Sequence, residues 1–381
     1  MSLIDKEIPR EILTLSDPAN PPKLNEISNR WFILSPTVTS GLEPESSISD
    51  FKIEKEVSKC SFNKGSVWKV IHKKTQKVYC MKIYEKEDII KTNSVPRINR
   101  EIEIMYLLNH PHCCKLKIHF EDDKNIYLVM PMAEKISINR VLKKFKKFDE
   151  RTAAQILRET ISAVQYMHSL NPPIIHRDII PENLLINKEG RVLLSDFHFA
   201  NYIKEDEKRK SFFAVSEYIS PEMLSKKDQD IKIDIWSIGV LMFELLFGYT
   251  PFNDKNTQEL YKNIETLNIK LLNGISPLAK DLIAKILKLN PKERPSLEDI
   301  LNHQWFKQTK IIKPLLEDKI KNIKELLAFH KLNECGDEIF EKINKLISIS
   351  EMDKNDNITN NNNNFNIGSA PTPLSLKHDF S

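Results

Sequence analysis

A chain of 381 residues, 40% of them hydrophobic and 29% charged, can bury a large core, which excludes a wholly disordered polymer. Its 57 lysines and arginines and 53 aspartates and glutamates leave a net charge of +4, interspersed along the chain, so no nucleic-acid partner is expected. The most apolar stretch, IWSIGVLMFELLFG at 235 to 248, is too short for a bilayer and contains Glu244, so no membrane span is expected.

The opening MSLIDKEIPREIL has no basic start followed by an apolar run, hence no visible secretory signal. Residues 1–50, with Pro18, Pro21 and Pro22 and little periodicity, read as a flexible N-terminal extension. From Phe51 the runs FKIEKEV, SVWKVIH and KVYCMKIY are rich in β-branched and aromatic residues and read as strands. The spacing of Ile98, Ile102, Met105 and Leu108 predicts a helix around 96 to 109, and NIYLVMPM at 125 to 132 a further buried strand. Five cysteines, at 60, 80, 113, 114 and 335, have neither metal-ligand nor disulfide spacing. A reducing compartment follows: cytoplasm, with the nucleus left open.

Beyond residue 134 the pattern turns helical. Asp149 is placed to cap ERTAAQILRETISAVQYMHSL, and residues 234 to 247 are apolar nearly all round, a buried helix stopped by Gly248. SPLAKDLIAKILKLNP and SLEDILNHQWF supply two more helices. A strand-rich half followed by a helix-rich half predicts an α+β fold with two lobes, 51–133 and 134–307. Residues 308–350 read as an amphipathic helical tail, with Leu316, Ile320, Ile323 and Leu327 on one face. Its segment 315–349 is expected either to dock on the helical lobe or to self-associate. Residues 351–381, with NITNNNNNFN, read as a disordered Asn-rich tail.

The chemistry gathers in IIHRDIIPENLLI at 174 to 186. Apolar pairs bracket His176, Arg177, Asp178 and Asn183, a polar knot that needs partners if it is buried. SDFHFA at 195 to 200, SEYISPE at 216 to 222, DIWSIG at 234 to 239 and NPKERPS at 290 to 296 follow. In this order and spacing, residues 51 to about 307 resemble a eukaryotic protein kinase of the serine/threonine type. The resemblance implies a small antiparallel-sheet N-lobe with one helix and a larger, mainly helical C-lobe. It implies transfer of the γ-phosphate of ATP to protein hydroxyls with Mg2+, and protein substrates or partners.

By the same resemblance Lys82 grips the phosphates and Glu101 pairs with it. Asp178 is the catalytic aspartate, and Asn183 and Asp196 hold metal. Val57, Gly65, Val67 and Leu185 line the nucleotide, Met130 is the gatekeeper, and Pro131 to Ala133 form the hinge. Glu222 is expected to pair with Arg294, and Ser211 is a candidate phosphorylation site whose phosphate Arg177 could receive.

Four positions depart from the family. VSKCSFNKGSVWKV keeps only Gly65 where kinases place three glycines, so phosphate cover is poorer. Ile180 stands where a lysine contacts the transferring phosphate; losing one such donor costs about 3 to 4 kcal/mol, or roughly 10²- to 10³-fold in rate. Val215 replaces the threonine that tethers that lysine. His198 replaces the glycine after Asp196-Phe197, where a side chain restricts backbone flipping. Two expectations follow: a slow serine/threonine kinase, because all five charge-bearing positions survive, or a catalytically inactive pseudokinase acting as a nucleotide-binding or scaffold and regulatory protein.

Overall fold

Runs rich in β-branched and aromatic residues build the first sheet: β1 (Phe51–Lys59), β2 (Ser66–His72), β3 (Val78–Glu85), β4 (Ile118–Glu121) and β5 (Asn125–Pro131). All four neighbouring pairs are antiparallel, in the order β1-β2-β3-β5-β4. The computed structural model describes residues 46–59, 65–132, 136–187, 189–203, 216–254, 256–269 and 274–309. The N-terminal extension up to residue 45, the helical tail from 310 with its expected docking, and the Asn-rich tail lie outside these residues.

The two-residue period of the strands divides the sheet into two apolar faces. Phe51, Tyr79, Met81, Tyr127 and Val129 bury one of them, with Phe51 stacked on Phe120 at 5.8 Å between centroids. Tyr84, Ile126 and Leu128 bury the other together with Ile98, Ile102 and Met105. Those last three project from α2 (Val95–Leu107), which follows α1 (Lys86–Lys91) and falls within two residues of the range the periodicity predicts. The extension assigned to residues 1–50 is shorter than expected at its inner end. A 3-10 turn at Ile48–Asp50 packs Ile48 against the aromatic face, and Asp50 accepts the Ser47 amide at 2.8 Å.

The second lobe contains α3 (Ile138–Phe145), α4 (Glu150–His168), α5 (Pro221–Leu224), α6 (Lys232–Phe247), α7 (Thr257–Glu265), α8 (Pro277–Ile286), α9 (Leu297–Asn302) and α10 (Gln304–Gln308). Asp149 caps α4 by accepting the amides of Arg151 and Thr152, both at 3.0 Å. Glu150 then joins three elements: it accepts from the Ser276 amide and hydroxyl at the start of α8 and from Trp305 Nε1 in α10, at 2.6, 2.8 and 2.7 Å. Helix α6 is buried on almost every side, which is why its sequence shows no polar face. Gly248 ends it at φ 83°, and a Cβ there would run into the Lys146 carbonyl. Short pairings β6 (Ile136–Ser137) with β8 (Leu184–Ile186) and β9 (Val192–Leu194), and β7 (Ile174–Ile175) with β10 (Asn201–Tyr202), frame the loops that carry the chemistry.

One tie fixes α2 against the sheet beside those loops. The Tyr106 hydroxyl lies 2.7 Å from His119 Nδ1 and accepts the His119 amide at 3.2 Å, and burial pushes His119 down to about 4. The folded state therefore refuses a proton that the unfolded chain accepts below its ordinary value of 6.5. Stability is full above that value and falls as pH drops from there toward 4. The loss from this one group should be about 2 kcal/mol between pH ~7.5 and pH ~5. Urea unfolding at the two pH values checks it: His119→Gln should lose this slope, and an unchanged slope would refute the assignment.

Candidate active site

Lys82 and Tyr84 sit two apart on β3, so both side chains face α2. Lys82 Nζ lies 2.8 Å from Glu101 Oε1 and 2.9 Å from Asp196 Oδ1. The Tyr84 hydroxyl donates to the other oxygen of Glu101 at 2.7 Å, while the Lys82 ammonium lies 5.0 Å from the Tyr84 ring centroid. His198 Nδ1 reaches the same Glu101 oxygen at 3.3 Å. Burial works against ionisation of Glu101, but the Lys82 cation and the His198 contact outweigh it and hold the carboxyl down at about 2.

The loop with Asp178 is held from beneath by one carboxylate. Asp234, fully buried in α6, accepts from the backbone amides of His176 and Arg177 at 2.9 and 2.8 Å and from His168 Nε2 at 2.8 Å. Burial opposes its charge; the His168 bond and the His176 amide prevail and keep it below the usual carboxylate range. These bonds accommodate Arg177 at φ 66°, a left-handed conformation rare outside glycine. Arg177 is buried, and its Nε donates to the Phe199 carbonyl at 2.7 Å. Its expected partner Ser211 lies outside the described residues.

Asn183 Nδ2 donates to both the backbone carbonyl and Oδ2 of Asp178, at 2.9 and 2.7 Å, which leaves its amide oxygen turned the other way. Burial, and then the negative charges of Asp196 and Glu182, push Asp178 up to about 7, with Asn183 and Lys82 only partly offsetting them. Ile180, where a lysine would sit beside Asp178, is 6% exposed and joins the main apolar cluster. Its burial shows that position 180 has been absorbed into the core.

Asp196 stands at φ 61°, its carboxylate 35% exposed, just ahead of the 3-10 turn Phe197–Phe199. Phe197 is fully buried, edge-on to His176 at 5.2 Å between centroids. Asp196 and Asn183 thus offer two hard oxygen ligands, and no larger group of His, Cys, Asp or Glu suited to a metal exists among the described residues. That donor set fits Mg2+, which takes one or two protein oxygens and completes its shell with phosphate and water.

The remaining expectations fall around this centre. Glu222 and Arg294 form a buried two-pronged pair, both contacts at 2.7 Å, with the guanidinium 5.1 Å from the Trp236 ring centroid. Val67 pairs with Lys82 across β2 and β3, and Met130 with Cys80 across β3 and β5. Val57 lies at an irregularity between Glu56 and Ser58 in β1, exposed at its edge. Gly65 is buried just before β2, Pro131 closes β5, and Leu185 sits in β8 opposite Leu193. Ala133, Val215 and Ser211 lie outside the described residues. Tyr84 is the member that motif matching passes over; its two-residue offset from Lys82 was the available signal.

The protein kinase domain family matches residues 61–306. The Aurora kinase of Saccharomyces cerevisiae is 38% identical over 273 residues, 72% of this chain and 72% of that protein. The Aurora kinase of Dictyostelium discoideum is 36% identical over 261 residues, 68% of this chain and 67% of that one. Aurora kinase C of Mus musculus is 33% identical over 68% of this chain and 93% of its own. The family match takes in parts of both lobes, from residue 61 to residue 306, and the chain belongs to the eukaryotic serine/threonine protein kinase family.

Proposed function

We propose that the chain transfers the γ-phosphate of ATP to serine or threonine hydroxyls of protein substrates, slowly because position 180 carries no cation. The observation that supports this reading most is the contact of Lys82 with both Glu101 and Asp196, at 2.8 and 2.9 Å, beside the Asp178–Asn183 pair. Lys82, neutralised on one side by Glu101, presents its remaining donor capacity toward the nucleotide phosphates. Asn183 and Asp196 would hold Mg2+, which when bound neutralises charge on the phosphates. Asp178 accepts the hydrogen bond of the incoming hydroxyl and orients its oxygen; Asn183 fixes the rotamer of that carboxylate. Phe197 and the buried His176 shield the floor of the site from water, which strengthens each of these interactions.

A second reading has its own support. Ile180 is buried and Asp178 stands at about 7 with carboxylates for neighbours, a combination that also suits a nucleotide-binding scaffold without turnover. Magnesium-dependent ATP turnover on the purified full chain separates the two, with Asp178→Asn as the blank. Turnover above that blank is expected. Mg-ATP should also raise the melting temperature, and the rise should vanish in Asp196→Ala. A thermal shift without turnover would establish the scaffold reading; no shift at millimolar Mg-ATP would defeat both.

The slow rate itself has a direct test. Ile180→Lys with Val215→Thr returns a donor and its tether, and the new ammonium would stand beside the Asp178 carboxylate. Because that donor acts mainly in the transition state, kcat should rise by about tenfold or more with little change in ATP affinity. Ile180→Lys alone should gain less, because an untethered lysine loses more side-chain freedom on ordering. An unchanged kcat in the double variant would place the limit elsewhere.

A further inference from the structure

Position 198 holds a side chain where the family pattern has none, and that side chain is engaged. His198 is 4% exposed within the turn Phe197–Phe199. Its ring lies 6.2 Å from the Tyr84 ring and 5.1 Å, edge-on, from Phe199. Nδ1 is 3.3 Å from Glu101 Oε2, the oxygen that also accepts from Tyr84, while Oε1 takes Lys82. Strand β3, helix α2 and the turn two residues beyond Asp196 therefore meet on one buried carboxylate.

We propose that His198 is a positioning residue that ties the Asp196-bearing turn to Glu101, holding Lys82 and Asp196 together in the ligand-free protein. A glycine at this position has no atoms with which to reach Glu101, and the turn and α2 would then be joined without that contact, through Lys82, the Arg97 guanidinium 5.5 Å from the Phe199 ring centroid, and packing. With the tie, the cradle exists before nucleotide arrives, and binding does not bear the cost of ordering it. Without it, only a fraction of molecules is competent at any moment, and apparent affinity falls by that fraction while turnover of the saturated enzyme is nearly unchanged. The kinetic consequence rests on the kinase reading; the tie itself does not.

The test uses the full chain with His198→Gly, His198→Leu and His198→Asn. Asparagine places an amide near the position of imidazole Nδ1, whereas leucine fills the space and donates nothing. Hydrogen exchange of the ligand-free protein, read over α2 and residues 196–200, should be about tenfold faster in the glycine and leucine variants and near wild type with asparagine. The Mg-ATP KM should rise about tenfold in the same two variants, with kcat within about twofold and asparagine restoring KM. Exchange in the leucine variant equal to wild type would overturn the proposal, because a space-filling role suffices for that result. Exchange in the glycine variant no faster than wild type would overturn it as well. If wild type shows no turnover, the kinase reading fails and the exchange pattern alone decides the tie.

Discussion

Everything in the cleft depends on one buried carboxylate, Glu101, which is 1% exposed. A lone carboxylate in that position would be driven neutral by desolvation. Here Lys82 contacts one oxygen and Tyr84 and His198 contact the other. The ion pair is therefore well satisfied, the condition under which a buried pair holds its charge rather than discharging by proton transfer. Its value lies in placement more than in stability. Glu101 on α2 and Asp196 on the other lobe's loop are both brought to within hydrogen-bond distance of Lys82 on the sheet, and no single element could fix all three.

Asp234 plays the corresponding part below. By accepting two consecutive backbone amides and a histidine, it sets the loop path through Arg177 and thereby the position of Asp178. Charges recur in this chain as hubs that collect donors from distant segments: the buried Glu101, Asp234 and Glu222–Arg294 pair, and the half-buried Glu150. Each would be costly alone, and each is affordable because its partners come from elements that the apolar core has already brought together.

The elements that local pattern controls were readable in the sequence. Asp149 announces its helix because an aspartate before an apolar-periodic run satisfies free amides, and Gly248 ends α6 because only glycine fits beside Lys146. The ordered motifs around Asp178 and Asp196 likewise pointed to the family. What local pattern does not carry is the meeting of side chains far apart in the chain. His198 lies 97 residues from Glu101, and nothing in SDFHFA says that its ring turns toward α2 rather than toward solvent. The sequence reading weighed position 198 as a backbone matter, whereas the side chain makes the contact. Ile180 is similar: its identity reports the missing lysine, but only the fold shows the isoleucine buried among apolar neighbours.

The two consequences of losing that lysine differ in size, and the difference decides how the site should behave. Burial first, and then the charge of Asp196, push Asp178 up to about 7, and an isoleucine at position 180 offers no charge to oppose them. A carboxyl raised toward neutrality is less fully ionised, but a carboxylate of higher pKa is the stronger proton acceptor, so the two effects oppose each other. The shift in the base is therefore nearly neutral for catalysis. The loss of a donor to the transferring phosphate is not, since it is worth roughly 10²- to 10³-fold. In the slow-kinase reading proposed above, the cost of Ile180 would fall on charge that develops in the transition state and hardly at all on the ground-state cradle of Lys82, Asn183 and Asp196. In that reading, a site altered in this way would keep its grip on nucleotide and lose speed.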